Sequence, residues 1–289
     1  MPSRLLVAST KPTPDVKDSA LLDARRESGL VEALGAASPA GDVPLRLSSV
    51  PVAVANKREQ ALVLTLGLPR VPAGVHEQFT VRLMLFDGEG RREILGQTHD
   101  VKITGEATAG EWNEIALRLD LRPGRYQIRI AAERATTKTA GSVHATVIIP
   151  DFEREALSLS GVAIGRAANA QVGGREGLAD LLPFAPTVVR DLARDDHVGA
   201  LLRVHQSNRR PAQPVVIETE VIDAAGAVVH TGTRTIAAEA FAGGAAVDHR
   251  FELPLTTLIP GDYLLRFNAT GGDMRVQRDV RFSVDLIRR

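Results

Sequence analysis

Apolar residues alternate with polar ones along two stretches of the chain, residues 121–132 and 258–269. Each stretch contains a Pro-Gly pair, which favours a tight turn because Pro fixes φ and Gly accepts positive φ. Apolar side chains then recur at every second position, with Gln127, Arg129 and Arg266 between them. Each stretch is therefore predicted to be a turn followed by a strand with one buried face.

A tyrosine follows the Pro-Gly pair in both stretches, at Tyr126 and Tyr263. A tyrosine in this position can bury its ring while its hydroxyl hydrogen-bonds to nearby backbone. This arrangement is the tyrosine corner of immunoglobulin-like sandwiches. We therefore expect one such corner in each half of the chain.

Other alternating segments predict further short strands, separated by turn residues. In the first half they cover residues 45–54, 61–66, 79–86, 92–97, 101–104, 115–119 and 141–149. In the second half they cover residues 156–164, 199–206, 215–222, 228–231, 251–255 and 278–286. The first of these strands would bend at Pro51 and suit a sheet edge. Residues 17–36 predict one short helix instead.

The order of these segments in the first half repeats in the second half. Asp223 follows Asp87 by 136 residues, Tyr263 follows Tyr126 by 137, and Val280 follows Val143 by 137. An offset held to one residue over three landmarks indicates two copies of one fold. The predicted fold is all-β: two tandem immunoglobulin- or fibronectin III-like β-sandwich domains over residues 40–150 and 151–289. Residues 1–39 would form a flexible lead-in and the short helix.

Composition excludes several classes of function. The 35 Lys and Arg residues balance 35 Asp and Glu residues, so no net charge attracts nucleic acid. The chain has no cysteine, which excludes disulfides, thiolate metal sites and a cysteine nucleophile. No apolar run is long enough to span a membrane, and residues 1–14 lack the apolar core of a secretion signal.

Aromatic residues make up only 4% of the chain, which limits stacking ligands such as sugars and bases. With both tyrosines assigned to corners, Trp112 is the obvious remaining candidate for a stacking platform. A single Trp near a strand start is more often core or interface filler. A carbohydrate-binding role would depend on Trp112.

The densest polar cluster comprises Asp191, Arg194, Asp195, Asp196 and His197. Carboxylates and an imidazole this close can bind a cation when a loop brings their ligand atoms together. No Gly bends the run, however, and Arg194 places a positive charge at its centre. We therefore expect a solvated turn here and no metal site.

The remaining polar residues do not form a catalytic or cofactor motif. The seven histidines, at positions 76, 99, 144, 197, 205, 230 and 249, include no pair at helical zinc spacing. Ser158 and Ser160 lack a nucleophile elbow, and residues 173–177 lack the context of a phosphate loop. His144 is expected on the outward face of its strand. No catalytic, cofactor-binding or metal site is predicted, and no cofactor.

Residues 123–132, 141–143, 147–152 and 157–162 resemble the C-terminal region of bacterial VWFA-related proteins. In that family, a von Willebrand factor A-like domain is followed by a tail of β-rich modules, and residues 30–47 resemble the junction between them. The Asp-x-Ser-x-Ser pattern of the family's metal site does not occur in this chain. The resemblance therefore implies the tail without the A domain, located in the cell envelope or outside the cell. In the strand predicted over residues 199–206, this chain has His205 at a position where relatives favour an aromatic residue.

Together these features predict a non-enzymatic structural or protein-binding module. Its partner would be a protein or a neighbouring domain, with edge strands as the contact surface. Nucleic acid and a membrane span are not expected. The alternative is a carbohydrate-binding accessory module of a secreted hydrolase.

Overall fold

The computed structural model of the protein describes residues 28–39, 41–54, 57–105, 111–166, 177–244 and 246–285. One helix, α1 (Ser28–Gly35), precedes the strands. The first half contains β1 (Arg46–Val52), β2 (Gln60–Pro69), β3 (His76–Asp87), β4 (Glu93–Thr104), β5 (Trp112–Leu121), β6 (Gly124–Arg134) and β7 (Ala140–Ile149). The second half contains β8 (Leu157–Leu159), β9 (Ala163–Arg166), β10 (Ala185–Pro186), β11 (Asp191–Ala193), β12 (Val198–Gln206), β13 (Val215–Asp223), β14 (Val228–Ile236), β15 (Ala246–Glu252), β16 (Gly261–Gly271) and β17 (Met274–Asp285). Short 3-10 segments cover Ala238–Gly244, with a kink at Ala242, and Leu255–Thr257.

The strands form two β-sandwiches, which confirms the predicted all-β fold. The first pairs a three-stranded sheet, β1-β2-β5, with a four-stranded sheet, β4-β3-β6-β7. The second pairs a sheet ordered β10-β9-β12-β15, with β8 also on β12, with a sheet ordered β11-β17-β16-β13-β14. Among the described residues, no sheet contains strands from both halves. The pairing is antiparallel except between β11 and β17.

The two sandwiches have the same strand order, as the internal repeat predicts. The sheet β1-β2-β5 corresponds to β9-β12-β15, and β4-β3-β6-β7 corresponds to β14-β13-β16-β17. The hairpin turns that follow β3 and β13 also match. In each turn an aspartate, Asp87 or Asp223, accepts hydrogen bonds from backbone N–H groups through its Oδ1 atom. Because register and turn recur together, the halves are two copies of one topology.

Each sandwich has its own apolar core. In the first, Phe79, Leu83 and Ile128 are fully buried between the two sheets. In the second, Leu265 and Phe267 occupy the equivalent place. These residues alternate with polar ones along β3, β6 and β16, so the period-two pattern of the sequence directly reflects sheet packing.

Both tyrosine corners are confirmed. The Tyr126 hydroxyl donates a 2.8 Å hydrogen bond to the carbonyl oxygen of Arg122, and the Tyr263 hydroxyl donates one of 2.7 Å to that of Ile259. Gly124, in the first of these turns, has φ of +156°, a value that favours glycine. The turn residues and the tyrosine therefore act as one unit in each copy.

The boundaries of several strands differ from the sequence-based prediction. The two strands predicted over residues 92–97 and 101–104 are one continuous strand, β4, which begins at Glu93. The predicted strand over residues 156–164 is instead two short strands, β8 and β9, because the N–H of Gly161 leaves the sheet and donates to the carbonyl of Pro51 at 2.9 Å. The strand predicted over residues 251–255 is β15, which lies earlier in the chain and ends at Glu252.

The helix prediction is confirmed over its described part, α1, while residues 17–27 lie outside the described residues. Leu30, Ala33 and Leu34 of α1 pack on Ala131 and Ala140, on the outer face of the four-stranded sheet. Arg129 of β6 donates to the carbonyl of Leu34 at 2.8 Å, at the C-terminal end of the helix. Apolar packing and a cation at the negative end of the helix dipole hold α1 on the sheet.

Candidate functional site

The most extensive feature beyond the two cores is the interface between the sandwiches. The outer face of β1-β2-β5 packs against the outer face of the equivalent sheet in the second half, with the turn over residues 178–182 contributing three leucines. The buried apolar residues of this interface are Val50, Val52, Ala61, Val63, Ala116, Ala163, Leu178, Leu181, Leu182 and Leu201. The two copies therefore bury equivalent surfaces against each other.

Strand β2 is buried on both of its faces because of this arrangement. Leu62 and Leu64 point into the core of the first sandwich, whereas Ala61 and Val63 point into the interface. A strand buried on both sides is expected to be continuously apolar, as β2 nearly is. This apolar run is a signal of the interface in the sequence, and the predicted strand over residues 61–66 does not account for the burial of its second face.

Gly67 of β2 lies where the two sandwiches approach closely. A Cβ atom at this position would lie 2.7 Å from Cγ2 of Val188 and 3.1 Å from Cε3 of Trp112. The Arg46 guanidinium carbon stands 4.9 Å from the Trp112 ring centroid, close enough for a cation–π interaction. Trp112 also packs against the core of the second sandwich. Its ring therefore belongs to the interface.

Ion pairs cross the interface at its rim. Arg46 of β1 contacts Asp191 of β11 at 3.0 Å, and Asp191 also accepts a hydrogen bond from Ser283 at 3.0 Å. Arg118 of β5 contacts Asp180 at 3.0 Å. These carboxylates and the Arg46 guanidinium are partly exposed, so each pair contributes about 0–1 kcal/mol and chiefly fixes the relative position of the sandwiches.

Polar groups inside the interface are hydrogen-bonded more completely. Glu114 of β5 accepts from the Thr187 hydroxyl and the Val188 N–H, each at 2.6 Å. Arg190 donates to the Ser48 hydroxyl at 3.1 Å and to the carbonyl of Thr187 at 2.7 Å. Burial lowers the pKa of Arg190 to about 10, against the opposing effect of Glu114. The guanidinium stays charged at neutral pH, and its hydrogen bonds offset its desolvation.

Arg203 of β12 joins three parts of the structure. It pairs with Asp248 of β15 at 2.7 Å, and it donates to the carbonyls of Leu181 at 3.3 Å and Ala53 at 3.4 Å. Ala53 directly follows β1, so this side chain connects the first sandwich, the leucine turn and the second sheet. Together with the N–H of Gly161 on Pro51, it ties the backbones of the two halves.

The polar cluster at residues 191–197 divides among separate structural roles. Asp191 lies in β11 and faces Arg46, so the predicted turn starts later than expected. Asp196 accepts the N–H of Ala193 at 3.0 Å, and Arg194 bonds to the carbonyl of Thr256. His197 lies near Glu252 at 3.9 Å. In the described ranges, no three Asp, Glu or His side chains converge as metal ligands do.

The structure brings Ser158 and His205 into register on β8 and β12, a pairing that the sequence did not indicate. Ser158 is 0% exposed and His205 is 6% exposed. Neither Oγ of Ser158 nor Nδ1 of His205 has a hydrogen-bond partner among the described residues. Because no substrate reaches a side chain this deeply buried, the pair is unsuited to nucleophilic catalysis. Ser160 instead accepts the N–H of Arg203 and bridges the break between β8 and β9.

The other singled-out residues are dispersed. His144 lies on the outward face of β7, as expected, but it contacts the backbone of Ala33 beneath α1 and is not free in solvent. Burial lowers the pKa of His249, in the second core, to about 4. Residues 173–176 and 288–289 lie outside the described residues. Among the described helices, none has the length and apolarity needed to cross a membrane.

No protein-family model matches the chain, and no curated protein matches it. Solved structures similar to it include a glycosyl hydrolase family 2 member from Bacteroides cellulosilyticus, with 12% identity and a TM-score of 0.34, aligned over 78% of this chain and 28% of that one. Dimeric latent PorU from Porphyromonas gingivalis has 12% identity and a TM-score of 0.32, over 89% and 21% of the two chains. A β-galactosidase from Bacteroides fragilis, described as putative, has 12% identity and a TM-score of 0.27, over 80% and 33%. The chain spans a third or less of each neighbour, and none of them indicates a function for it.

Proposed function

We propose that this chain is a non-enzymatic structural module that holds two β-sandwiches in one fixed orientation and presents their outer surfaces to a protein partner or a neighbouring domain. The observation that carries the proposal is the burial of equivalent sheets against each other in the interface. Two domains joined by a flexible linker move independently, whereas a large apolar interface with buried hydrogen bonds fixes their relative position.

The distribution of polar side chains supports a non-enzymatic role. Glu114, Arg190 and Arg203 use their hydrogen bonds to join the two halves. Ser158 and His205, the nearest approach to a catalytic pair, are buried. Turnover of an ester or glycoside that disappears in Ser158→Ala would overturn this part of the proposal.

Rigidity is testable because the chain contains no cysteine of its own. Thr98→Cys and Thr270→Cys place one spin label on an exposed position of each outer sheet, in β4 and β16. Pulsed electron paramagnetic resonance of the doubly labelled chain, diluted into excess unlabelled chain so that only distances within one chain are measured, should give one narrow distance distribution. Leu182→Asp, which puts a charge into the interface, should broaden it. Ile148→Asp, at a position that is 66% exposed on the outer face of β7, is the matched control.

A milder variant keeps the test decisive if Leu182→Asp fails to fold. Arg46→Ala combined with Arg118→Ala removes both rim ion pairs and the Arg46 contact with Trp112, and it changes no buried core residue. It should widen the distribution while circular dichroism remains unchanged. A broad distance distribution in the labelled chain with an unsubstituted interface would show that the interface does not fix the orientation of the sandwiches. The same conclusion would follow if neither interface variant changed the distance distribution.

The resemblance of residues 123–132, 141–143, 147–152 and 157–162 to VWFA-related tails supports a finer proposal. We infer that the module works as such a tail, in the cell envelope or outside the cell. Fractionation of the source cells with an antibody to the module tests the location. Recovery in the cytoplasmic fraction alone would overturn it.

The carbohydrate-binding alternative is tested separately. Its candidate platform, Trp112, carries Arg46 on one ring face and packs into the interface. Glycan-array binding that is lost in Trp112→Ala but kept in Arg46→Ala combined with Arg118→Ala would favour this alternative. No binding by the unsubstituted chain would remove it.

A further inference from the structure

Strand β14 forms an open edge of the second sandwich. It pairs with β13 from Val228 to Ile236, with a bulge at Val229, and among the described residues it has no strand on its other side. An edge strand of this kind offers a row of backbone N–H and C=O groups to another strand. It is nine residues long, which is enough for several consecutive backbone hydrogen bonds.

Other edges in the described part of the chain carry features that discourage strand addition. The equivalent edge of the first sandwich, β4, carries three charged residues, Glu93, Asp100 and Lys102. Strand β1 contains Pro51, and β7 contacts α1 and forms a bridge from Gly141 to Gly41. Strands β10 and β11 have only two and three residues. Edge charges, prolines, coverings and short lengths are the usual protections against pairing.

Strand β14 lacks most of these protections. Its sequence, Val-Val-His-Thr-Gly-Thr-Arg-Thr-Ile, contains no acidic residue, lysine or proline, and six of its nine residues are β-branched. Val228 and Val229 are 51% and 46% exposed. The only fully charged side chain of the strand is Arg234. Its guanidinium turns back and donates to the carbonyl of Asp248 in β15 at 3.2 Å. The His230 ring packs on Phe251 at 5.6 Å.

We propose that β14 is a self-association edge, which pairs antiparallel with β14 of a second copy of this chain across a two-fold axis at Gly232. This proposal rests on the proposed function in one respect, that an edge strand is the contact surface. In this register Thr231 faces the partner copy's Thr233 on one face of the sheet, and the regular pairing ends before the bulge at Val229. Threonine and β-branched pairs are favourable cross-strand neighbours. The symmetry makes the contact closed, so it yields a dimer and not a fibre.

A second copy is the occupant that the strand's own chemistry favours. No acidic side chain meets another across the axis, because β14 has none, and Arg234 faces His230 instead of a second arginine. The two five-stranded sheets would merge into one continuous sheet. Since a single strand pair buries less surface than a standard interface, we expect a dissociation constant on the order of 10–100 μM.

Charge substitution on β14 tests both the surface and the register. Sedimentation velocity of the full chain should show a monomer–dimer equilibrium that shifts to monomer on dilution. Thr231→Lys combined with Thr233→Lys places like charges opposite each other and should weaken association at least tenfold. The matching double substitution to Glu should do the same. An equimolar mixture of the two variants should regain dimer, because Lys then faces Glu.

A matched control lies on β4. Thr98→Lys combined with Thr104→Lys adds the same charge at exposed threonines of the equivalent edge and should leave the dimer unchanged. Circular dichroism of every variant confirms folding. A chain that stays monomeric at about ten times the expected dissociation constant would overturn the proposal, as would a mixture that remains monomeric. Either result leaves the spin-label distances unaffected, so the proposed rigid module and the dimer fail separately.

Discussion

The Tyr263 hydroxyl donates a 2.7 Å hydrogen bond to the carbonyl oxygen of Ile259, four residues before it, and the ring stacks on Phe282. In the first sandwich, Tyr126 makes the same bond to Arg122 at 2.8 Å, but in a more exposed setting. The same corner has thus been kept in two environments. This makes the effect of burial on one hydrogen bond measurable within one chain.

We expect Tyr263→Phe to lower the free energy of unfolding by about 1 kcal/mol and Tyr126→Phe by about 0.5 kcal/mol. The difference arises because water replaces the lost partner more readily at the exposed corner. Urea unfolding followed by circular dichroism measures both values. Unchanged midpoints in both variants would contradict the stabilising role of the corners.

The sequence predicted the sandwiches well because the information is local. Alternation along residues 79–86 and 126–132 depends on neighbours two positions apart, and each corner lies within five residues. The interface depends on pairs such as Arg46 and Asp191, which are 145 residues apart. Nothing in the residues around Asp191 indicates which distant cation it meets, so the sequence predicts only a solvated turn there. The leucines at 178–182 likewise pack on residues that are distant in the sequence, so no local pattern predicts their contacts.

Gly67 should be intolerant of even a methyl group. We expect Gly67→Ala to lower the free energy of unfolding by about 1–3 kcal/mol, since the added Cβ would overlap Val188 Cγ2. Gly232→Ala is the control, because a Cβ there meets nothing within 4 Å and should change stability little or raise it by about 0.5 kcal/mol.

A double substitution separates this clash from other effects of alanine. Val188→Ala removes the contacted methyl groups, so adding it to Gly67→Ala should recover part of the loss. A coupling free energy of about 1 kcal/mol in the double-mutant cycle is expected. Simple additivity of the two single changes would show that the interface accommodates the methyl group elsewhere.

His249 should make the second sandwich sensitive to acid. Burial lowers its pKa from 6.5 to about 4, with a further effect of Arg234, so the unfolded chain binds the proton more readily than the folded chain. The stabilisation is complete well above pH 6.5, decreases as the unfolded chain takes up the proton below pH 6.5, and is fully lost below about pH 4. We expect a loss of about 2 kcal/mol between about pH 7.5 and about pH 5.

Replacing the imidazole tests the assignment. His249→Leu should flatten the pH dependence of the unfolding free energy in this window, whatever its effect at neutral pH. His197→Gln, on an exposed turn, is the control and should keep the wild-type slope. A slope that survives in His249→Leu would place the acid sensitivity at another buried histidine, such as His205.

Arg129 should be needed to hold the end of α1 on the first sandwich. Its guanidinium donates to the Leu34 carbonyl at 2.8 Å and lies over the Phe86 ring at 5.4 Å. Arg129→Ala leaves the helix-terminal carbonyl without its cation. We expect this to lower the stability of the helix end by about 1 kcal/mol, which corresponds to about fivefold faster opening. Hydrogen exchange of the Ala36 amide, bonded to the Glu32 carbonyl, measures this opening. Arg125→Ala, which removes an exposed arginine of the same strand, is the control and should leave that exchange rate unchanged. Equal exchange rates in the two variants would show that the packing of Leu30 and Leu34 alone retains the helix.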